Sequence, residues 1–598
     1  MMKQFSVHIV PYLITVLSLT AKFLYLNWVT GSYVNIPWTI SLGTLLMLTA
    51  PCVALNSGKR LWVLIVFDLI ISFLLFADIL YYRYYGDIIS APVLVQIGLV
   101  GPVLSSVIGL IKFSDLLLVV DLAIFLPFFG LISTGADNKS CRDICMRTVA
   151  AVAVMSIGYS VIFFSGNKFD ANNRLQVINR AGLLYYHFAD ISNYLDGVVL
   201  GEEPMQKGDM AMIEKRFAGR KMTEGRLTGY AKGANVLVLQ VEALQSIVLN
   251  LNINGQEITP NLNKLMKESL YFPNFYSQTA QGNTSDAEFL ANVSLYPLQK
   301  GSVYFLYTKN DYRSLPQVLR EMGYSTLVMH ANEPEYWNRK YMYPSLHFAT
   351  FYSGESYLLD EKIGLGLGDR SFLHQSVEKI KQARQPFYSY LITLTSHFPY
   401  NFPDKLKVLN LSPYEGTMAA NYLHAIHYVD QAIGSFLAEM REQGLLDKTL
   451  VVIFGDHFAL PENELARFGK LLDVKQDWLV EKNRVPLIIR VPGGKQAGVI
   501  NTPGGEIDIF PTLANLLNLN PGDLLTMGRD LVNAREGFVV FRDGSYIDKT
   551  NNYHNIAKEP QTPEAALALQ ELRISDLLIR YNLTDRLLNK KGIRPSNR

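Results

Sequence analysis

The 598-residue chain is 49% hydrophobic and carries a net charge of only +2. A chain of this length exceeds one core and predicts two domains, and its near-neutral balance excludes a bulk field for nucleic acid. Its three cysteines are Cys52, Cys141 and Cys145, so everything after Cys145 is free of disulfides, as suits a bacterial domain outside the cytoplasm. Cys141 and Cys145 lie one helical turn apart without further ligands and read as plain thiols.

Most of the apolar excess precedes residue 166. Five runs there are long enough to cross about 30 Å of hydrocarbon: His8–Val29, Pro37–Leu55, Leu61–Tyr82, Asp115–Thr134 and Thr148–Ser165. Between the third and fourth, Ile88–Ile111 is apolar but broken by Pro92, Gly98, Gly101, Pro102 and Gly109, which predicts interfacial or re-entrant segments. Ser57-Gly58-Lys59-Arg60 and the loop bearing Lys139, Arg142 and Arg147 should face the cytoplasm, as should the N-terminus with Lys3. An odd number of spans then puts everything after Ser165 outside. The domains expected are a transmembrane bundle over 1–165, a linker over 166–230, partly helical near Asn173–Leu195, and a catalytic domain over 231–598.

From Ala234 onward, short Val/Ile/Leu-rich runs alternate with helical stretches: Asn235–Val241, Ser325–Met329, Phe387–Leu394, Thr449–Phe454 and Val485–Val491. Continuous apolar runs of this length are strands covered on both faces, so the pattern predicts a doubly wound α/β domain with a mostly parallel sheet and helices on both faces. Glu242 follows the first run, His330 the second, Ser396-His397 the third and Asp456-His457 the fourth. Open α/β sheets place their sites beyond the carboxyl ends of their strands, so these residues should converge. Glu242, Asp456 and His457 offer hard oxygens and one nitrogen, a set suited to Mn²⁺ or Mg²⁺. Alone, Asp456-His457 reads equally well as a helix cap.

The segment from Ser277 to Phe289 reads as a loop entering a helix, with Gly282 at a tight turn and Thr284 near the helix start. Backbone N–H groups there attract phosphate, and a hydroxyl bound to a divalent cation becomes a nucleophile. On spacing alone the simpler account is an N-cap at Thr284 or Ser285, with Asp286 or Glu288 complementing the dipole.

Together these residues resemble the lipoteichoic acid synthase family, membrane-bound members of the alkaline phosphatase and sulfatase superfamily. The resemblance is carried by Gly282 through Phe289, by His330 with Tyr336-Trp337-Asn338-Arg339, by Leu391 through Pro399 and by Gly455-Asp456-His457. Gly364 through Asp369, Phe541 through Gly544 and Tyr81–Pro92 add to it. It implies a sulfatase-like catalytic domain in which Glu242, Thr284, Asp456 and His457 bind one manganese ion and Thr284 is the nucleophile. It further implies that Trp337, Arg339 and His397 hold the phosphoglycerol group, with His330 as a weaker candidate. Arg339 offers a bidentate fork to phosphate, Trp337 an apolar wall, and His397 a hydrogen bond or a proton. Asn283 stands where the family often has Lys, which removes a positive charge beside the nucleophile.

The expected reaction transfers phosphoglycerol from phosphatidylglycerol through a covalent Thr284 ester, releasing diacylglycerol, to a glycerol-phosphate or glycan acceptor. The competing expectations are a phosphoethanolamine transferase, which typically carries several disulfides, and a non-catalytic membrane sensor or scaffold.

Overall fold

The computed structural model describes residues 2–31, 38–49, 57–85, 87–93, 104–123, 182–200, 205–218, 225–472, 478–555 and 562–590, with a few single positions between them. The chain divides into two compact units, residues 1–94 with 107–202, and residues 95–106 with 203–598.

The described helices of the first unit are α1 (Met2–Thr30), α2 (Trp38–Thr49), α3 (Ser57–Tyr85) and α4 (Leu183–Leu200). Leu19, Phe23 and Leu26 of α1 and Ile71, Leu75 and Ile79 of α3 recur at helical spacing and share one core. Two stretches, Tyr12–Thr30 and Lys59–Tyr85, are long and apolar enough to cross a membrane. Of the expected second span, the described helix covers Trp38–Thr49. Helix α2 has 12 residues, about 18 Å at the α-helical rise, and Pro51 stands just beyond it, where a proline resists continuation. Within the expected fourth span, Phe113–Leu118 forms a 3₁₀ helix; the rest of that span past residue 123 and all of Thr148–Ser165 lie outside the described residues.

Several buried charges of this unit are paired among the described residues. Lys22 Nζ reaches Asp68 at 2.8 Å and Asp121 at 2.7 Å. Arg83 holds Asp115 at 2.7 and 2.8 Å, and His187 of α4 meets Asp78 of α3 at 2.9 Å. Burying an ion in such surroundings is costly unless a partner is supplied, so these pairs fix how the helices meet. Helix α4 lies within the stretch expected as linker and is part of the first unit.

In the second unit α5 (Asp209–Phe217) precedes β1 (Asn235–Val241), β2 (Leu270–Phe272), α6 (Asn283–Val293), β3 (Ser325–Met329), α7 (Arg339–Ser345) and β4 (Thr350–Tyr352). There follow α8 (Asp369–Gln382), β5 (Phe387–Ile392), α9 (Met418–Glu442), β6 (Thr449–Gly455), β7 (Leu487–Arg490), β8 (Gly498–Val499) and α10 (Pro563–Arg580). The eight strands form one sheet in the order β8-β2-β7-β6-β1-β5-β3-β4. The sheet is mixed. Strand β7 runs against both β6 and β2, while every other neighbouring pair is parallel. The run at Val485–Val491 is therefore a strand as expected but reversed, and β2 and β8 extend the sheet beyond it.

All seven residues of β1 are buried, as are all of β5 and β6. That is why these strands lack polar alternation. Val236, Val238, Tyr390 and Val452 share a core with Phe289 and Leu290 of α6. Strands β6, β1, β5 and β3 are adjacent and parallel, so their carboxyl ends lie on one edge, and α6 is packed beside them.

Candidate active site

Glu242, Asp456 and His457 stand directly beyond the ends of β1 and β6, and their ligand atoms lie within 4.8 Å of one another. His457 Nε2 is 3.3 Å from Glu242 Oε1 and 3.6 Å from Asp456 Oδ2. The parallel pairing of Val241 with Gly455 aligns the strand ends so that the next residue of each is a ligand candidate. Gly455 is required there: a Cβ on it would fall 1.9 Å from the carbonyl oxygen of Leu244. Ala243, at φ 54, turns the chain sharply after Glu242 and donates its N–H to Asp456 Oδ1 at 2.8 Å. Asp456 thus ties the two strand ends together rather than capping a helix.

Thr284 joins this trio. Its Oγ1 is 3.3 Å from Glu242 Oε2 and 3.3 Å from His457 Nε2. No side chain caps α6; Ser285 Oγ donates to the Gly282 carbonyl at 2.7 Å. Asp286 instead accepts from the N–H groups of Ala280 and Gly282, both at 2.9 Å, and so shapes the loop before the helix. Asn283 tolerates the positive φ of 39 at the helix entry. The cap account of Thr284 is overturned by these partners.

The cluster's electrostatics favour a cation. Burial opposes a charge on His457, but the carboxylates of Asp456 and Glu242 outweigh it and push the imidazole up to about 10. Burial also raises Asp456, and the Glu242 charge adds to it. Glu242 Oε1 is buried without a hydrogen bond. Two buried carboxylates, one imidazole nitrogen and a hydroxyl are donors that fit a small divalent ion.

Three histidines share one arrangement. Nδ1 of His457 lies 2.9 Å from the Phe458 carbonyl, Nδ1 of His397 2.6 Å from the Phe398 carbonyl, and Nδ1 of His330 3.1 Å from the Ile392 carbonyl. A carbonyl only accepts, so each Nδ1 carries a proton, and Nε2 is the nitrogen each ring turns to other partners. His330 is buried, which holds it well below its usual range and neutral, and its Nε2 is buried without a hydrogen bond. His397 is half-buried in a cleft with Gly364, Leu365, Leu394 and Asn401.

Trp337 is mostly buried and meets Phe305 and Tyr336 edge-on. Arg339 differs from expectation. It is fully buried, and its Nε and Nη2 both donate to Glu288 Oε1, at 2.9 and 2.6 Å. A guanidinium with no exposure needs a carboxylate, so the fork expected for phosphate is turned onto Glu288, and Nη1 lies 3.3 Å from the Tyr336 carbonyl.

Several supporting residues escape sequence reasoning. Gln240 donates to the Thr284 carbonyl at 3.1 Å and Asp456 Oδ2 at 3.3 Å, and accepts from Tyr390 at 2.5 Å. Thr393 accepts the Glu242 N–H, and Ser396 donates to the Glu242 carbonyl. Asp369 accepts the N–H groups of Leu394 and Thr395, holding the loop that carries His397. Thr393, Ser396 and Asp369 lay in noted motifs; Gln240 and Tyr390 did not.

Comparison with known proteins places these residues in context. The sulfatase family matches residues 234–519, and the lipoteichoic acid synthase N-terminal domain matches residues 2–197. The chain is 30% identical over 560 residues to lipoteichoic acid synthase 1 of Bacillus subtilis (strain 168), covering 90% of this chain and 86% of that one. It is 30% identical over 572 residues to lipoteichoic acid synthase of Staphylococcus aureus (strain USA300), covering 91% and 87%. The crystal structure of the lipoteichoic acid synthase LtaP from Listeria monocytogenes superposes with a TM-score of 0.56 at 26% identity, over 63% of this chain and 97% of that one.

Proposed function

Because the chain belongs to the lipoteichoic acid synthase family, we propose that it transfers phosphoglycerol from phosphatidylglycerol to a glycerol or glycan acceptor through a Thr284 ester. The observation that carries this is the position of Thr284 Oγ1, 3.3 Å from both Glu242 and His457 at the entry to α6. A divalent cation held by Glu242, Asp456, His457 and the Thr284 oxygen, with Mn²⁺ favoured and Mg²⁺ the alternative, would lower the hydroxyl's pKa and screen the phosphate charge.

The chain's own groups then divide the work. Thr284 Oγ releases its proton to water and attacks phosphorus, the bond from phosphorus to the diacylglycerol oxygen breaks, and that oxygen takes up a proton as diacylglycerol leaves. His397 is suited to give that proton or to hold the substrate, since its Nδ1 is fixed and Nε2 is left for the ligand. Trp337 supplies an apolar wall for the glycerol carbons, and the group's oxygens fall to His330 Nε2 and to Arg339 Nη1, the terminal nitrogen that the ion pair with Glu288 leaves. An acceptor hydroxyl then attacks phosphorus, and the bond to Thr284 breaks, restoring the hydroxyl. The two long apolar helices and the match of the N-terminal region support a multi-pass membrane protein with its catalytic unit outside the cytoplasm.

The test is mass spectrometry of the purified full chain after brief exposure to phosphatidylglycerol and Mn²⁺. A phosphoglycerol mass on Thr284 is expected, with diacylglycerol released. Thr284→Ala should fold and release none. A mass mapping to Ser285, or activity surviving in Thr284→Ala, sinks the mechanism.

A further inference from the structure

The helix that carries Thr284 also carries Glu288, one turn further on and on the same face. Glu288 is buried and all of its lone-pair directions are used. Oε1 accepts Nε and Nη2 of Arg339, at 2.9 and 2.6 Å. Oε2 accepts the hydroxyls of Tyr343 at 2.7 Å and Tyr304 at 3.3 Å. A carboxylate buried this deeply needs both oxygens satisfied, and the two tyrosines do this while tying it to two further segments of the chain.

The segment that Glu288 grips is strained. Trp337 and Asn338 adopt left-handed conformations, at φ 55 and φ 57, which L residues other than glycine resist. Asn338 Nδ2 is held by the Tyr304 carbonyl at 2.6 Å, and Arg339 begins α7 directly afterwards. The same tyrosine thus touches both the carboxylate and the strained turn. Tyr343, one turn along α7 from Arg339, closes the cluster from the other side.

We propose that Glu288 is a positioning residue: it transmits the placement of the nucleophile helix to Arg339 and the Trp337-Asn338 turn, so that attacking oxygen and phosphate-binding group are set by one helix. This rests on the phosphoglycerol-transfer reading above. Glu288 itself touches no substrate; it acts through Arg339, whose Nη1 is the terminal nitrogen not bonded to the carboxylate. The spacing between Thr284 and Arg339 is then as stiff as a single helical turn plus an ion pair with two N–H groups on one carboxylate oxygen.

The experiment uses the full chain in detergent and reads two quantities. One is the affinity for glycerol phosphate by calorimetry; the other is kcat and KM for headgroup release from phosphatidylglycerol. Glu288→Gln should weaken glycerol phosphate binding about tenfold or more and raise KM more than it lowers kcat. Arg339→Gln should do the same. The double variant Glu288→Gln/Arg339→Gln removes both buried charges, so it should recover thermal stability relative to either single change. Its affinity should equal that of Arg339→Gln alone, because Glu288 has nothing left to aim. If Glu288→Gln fails to fold, Tyr343→Phe replaces it; that change frees one oxygen of Glu288 and should weaken binding several-fold only while Arg339 is present. Wild-type affinity in a folded Glu288→Gln or Tyr343→Phe protein overturns the proposal, as does wild-type affinity in the double variant. A wild-type protein that binds glycerol phosphate but never releases diacylglycerol would instead sink the transferase reading and leave the positioning result standing.

Discussion

At the scale of single residues, the site depends on groups that never meet the substrate. Gln240 is the clearest, since one amide bridges the carbonyl of Thr284, the proposed nucleophile, a metal-ligand candidate and the Tyr390 hydroxyl. Gln240→Leu keeps the volume and removes all three bonds. Metal affinity should fall about tenfold or more, as it does when outer partners of ligands are lost, and a metal titration of the folded variant measures it; unchanged affinity would show that Gln240 only fills space. Glu242, His330, His397 and Asp456 were legible in the sequence because each is a polar residue at or just past the end of an apolar run. Gln240 and Glu288 were not, because each lies inside an element, where a lone polar residue looks like an interruption or a dipole complement. Arg339 was legible as a member of the site but not in its pairing, because the carboxylate it meets lies on another helix.

At the scale of elements, β1 and β6 act as one unit whose ends must lie closer than side chains allow. A methyl group at Gly455 would collide with the Leu244 carbonyl, an atom that cannot swing aside. Gly455→Ala should cost about 1–3 kcal/mol of stability and should weaken metal binding by shifting the turn that follows Glu242. A thermal melt with and without Mn²⁺ checks both; a variant that melts and binds like wild type refutes the close approach. Strands β1, β3, β5 and β6 were readable because strands buried on both faces give unbroken apolar runs. Strand β7 reads the same way in either direction, so its reversal left no trace in the pattern. Strands β2 and β8, of three and two residues, are too short for any periodicity to register.

At the scale of the whole molecule, the proposed function requires the catalytic unit to meet a lipid of the outer leaflet. Lys59 and Arg60, at the start of α3, and the stretch with Lys139, Arg142 and Arg147 are expected to face the cytoplasm, which would put that unit outside. A reporter active only after export, fused near residue 220, should be active; activity of a cytoplasm-only reporter there would overturn the topology. Export gives the sheet order a temporal meaning. Strand β1 is the first of the sheet to be synthesised, yet Val236 lies between Tyr388 and Leu450, which follow it by 152 and 214 residues. A seven-residue apolar strand therefore waits, with both hydrogen-bonding edges open, until its neighbours arrive. Such edges recruit other chains, and pairings this distant in sequence form slowly. The strand that positions Glu242 is thus also the point at which a chain halted during secretion would be most prone to aggregate.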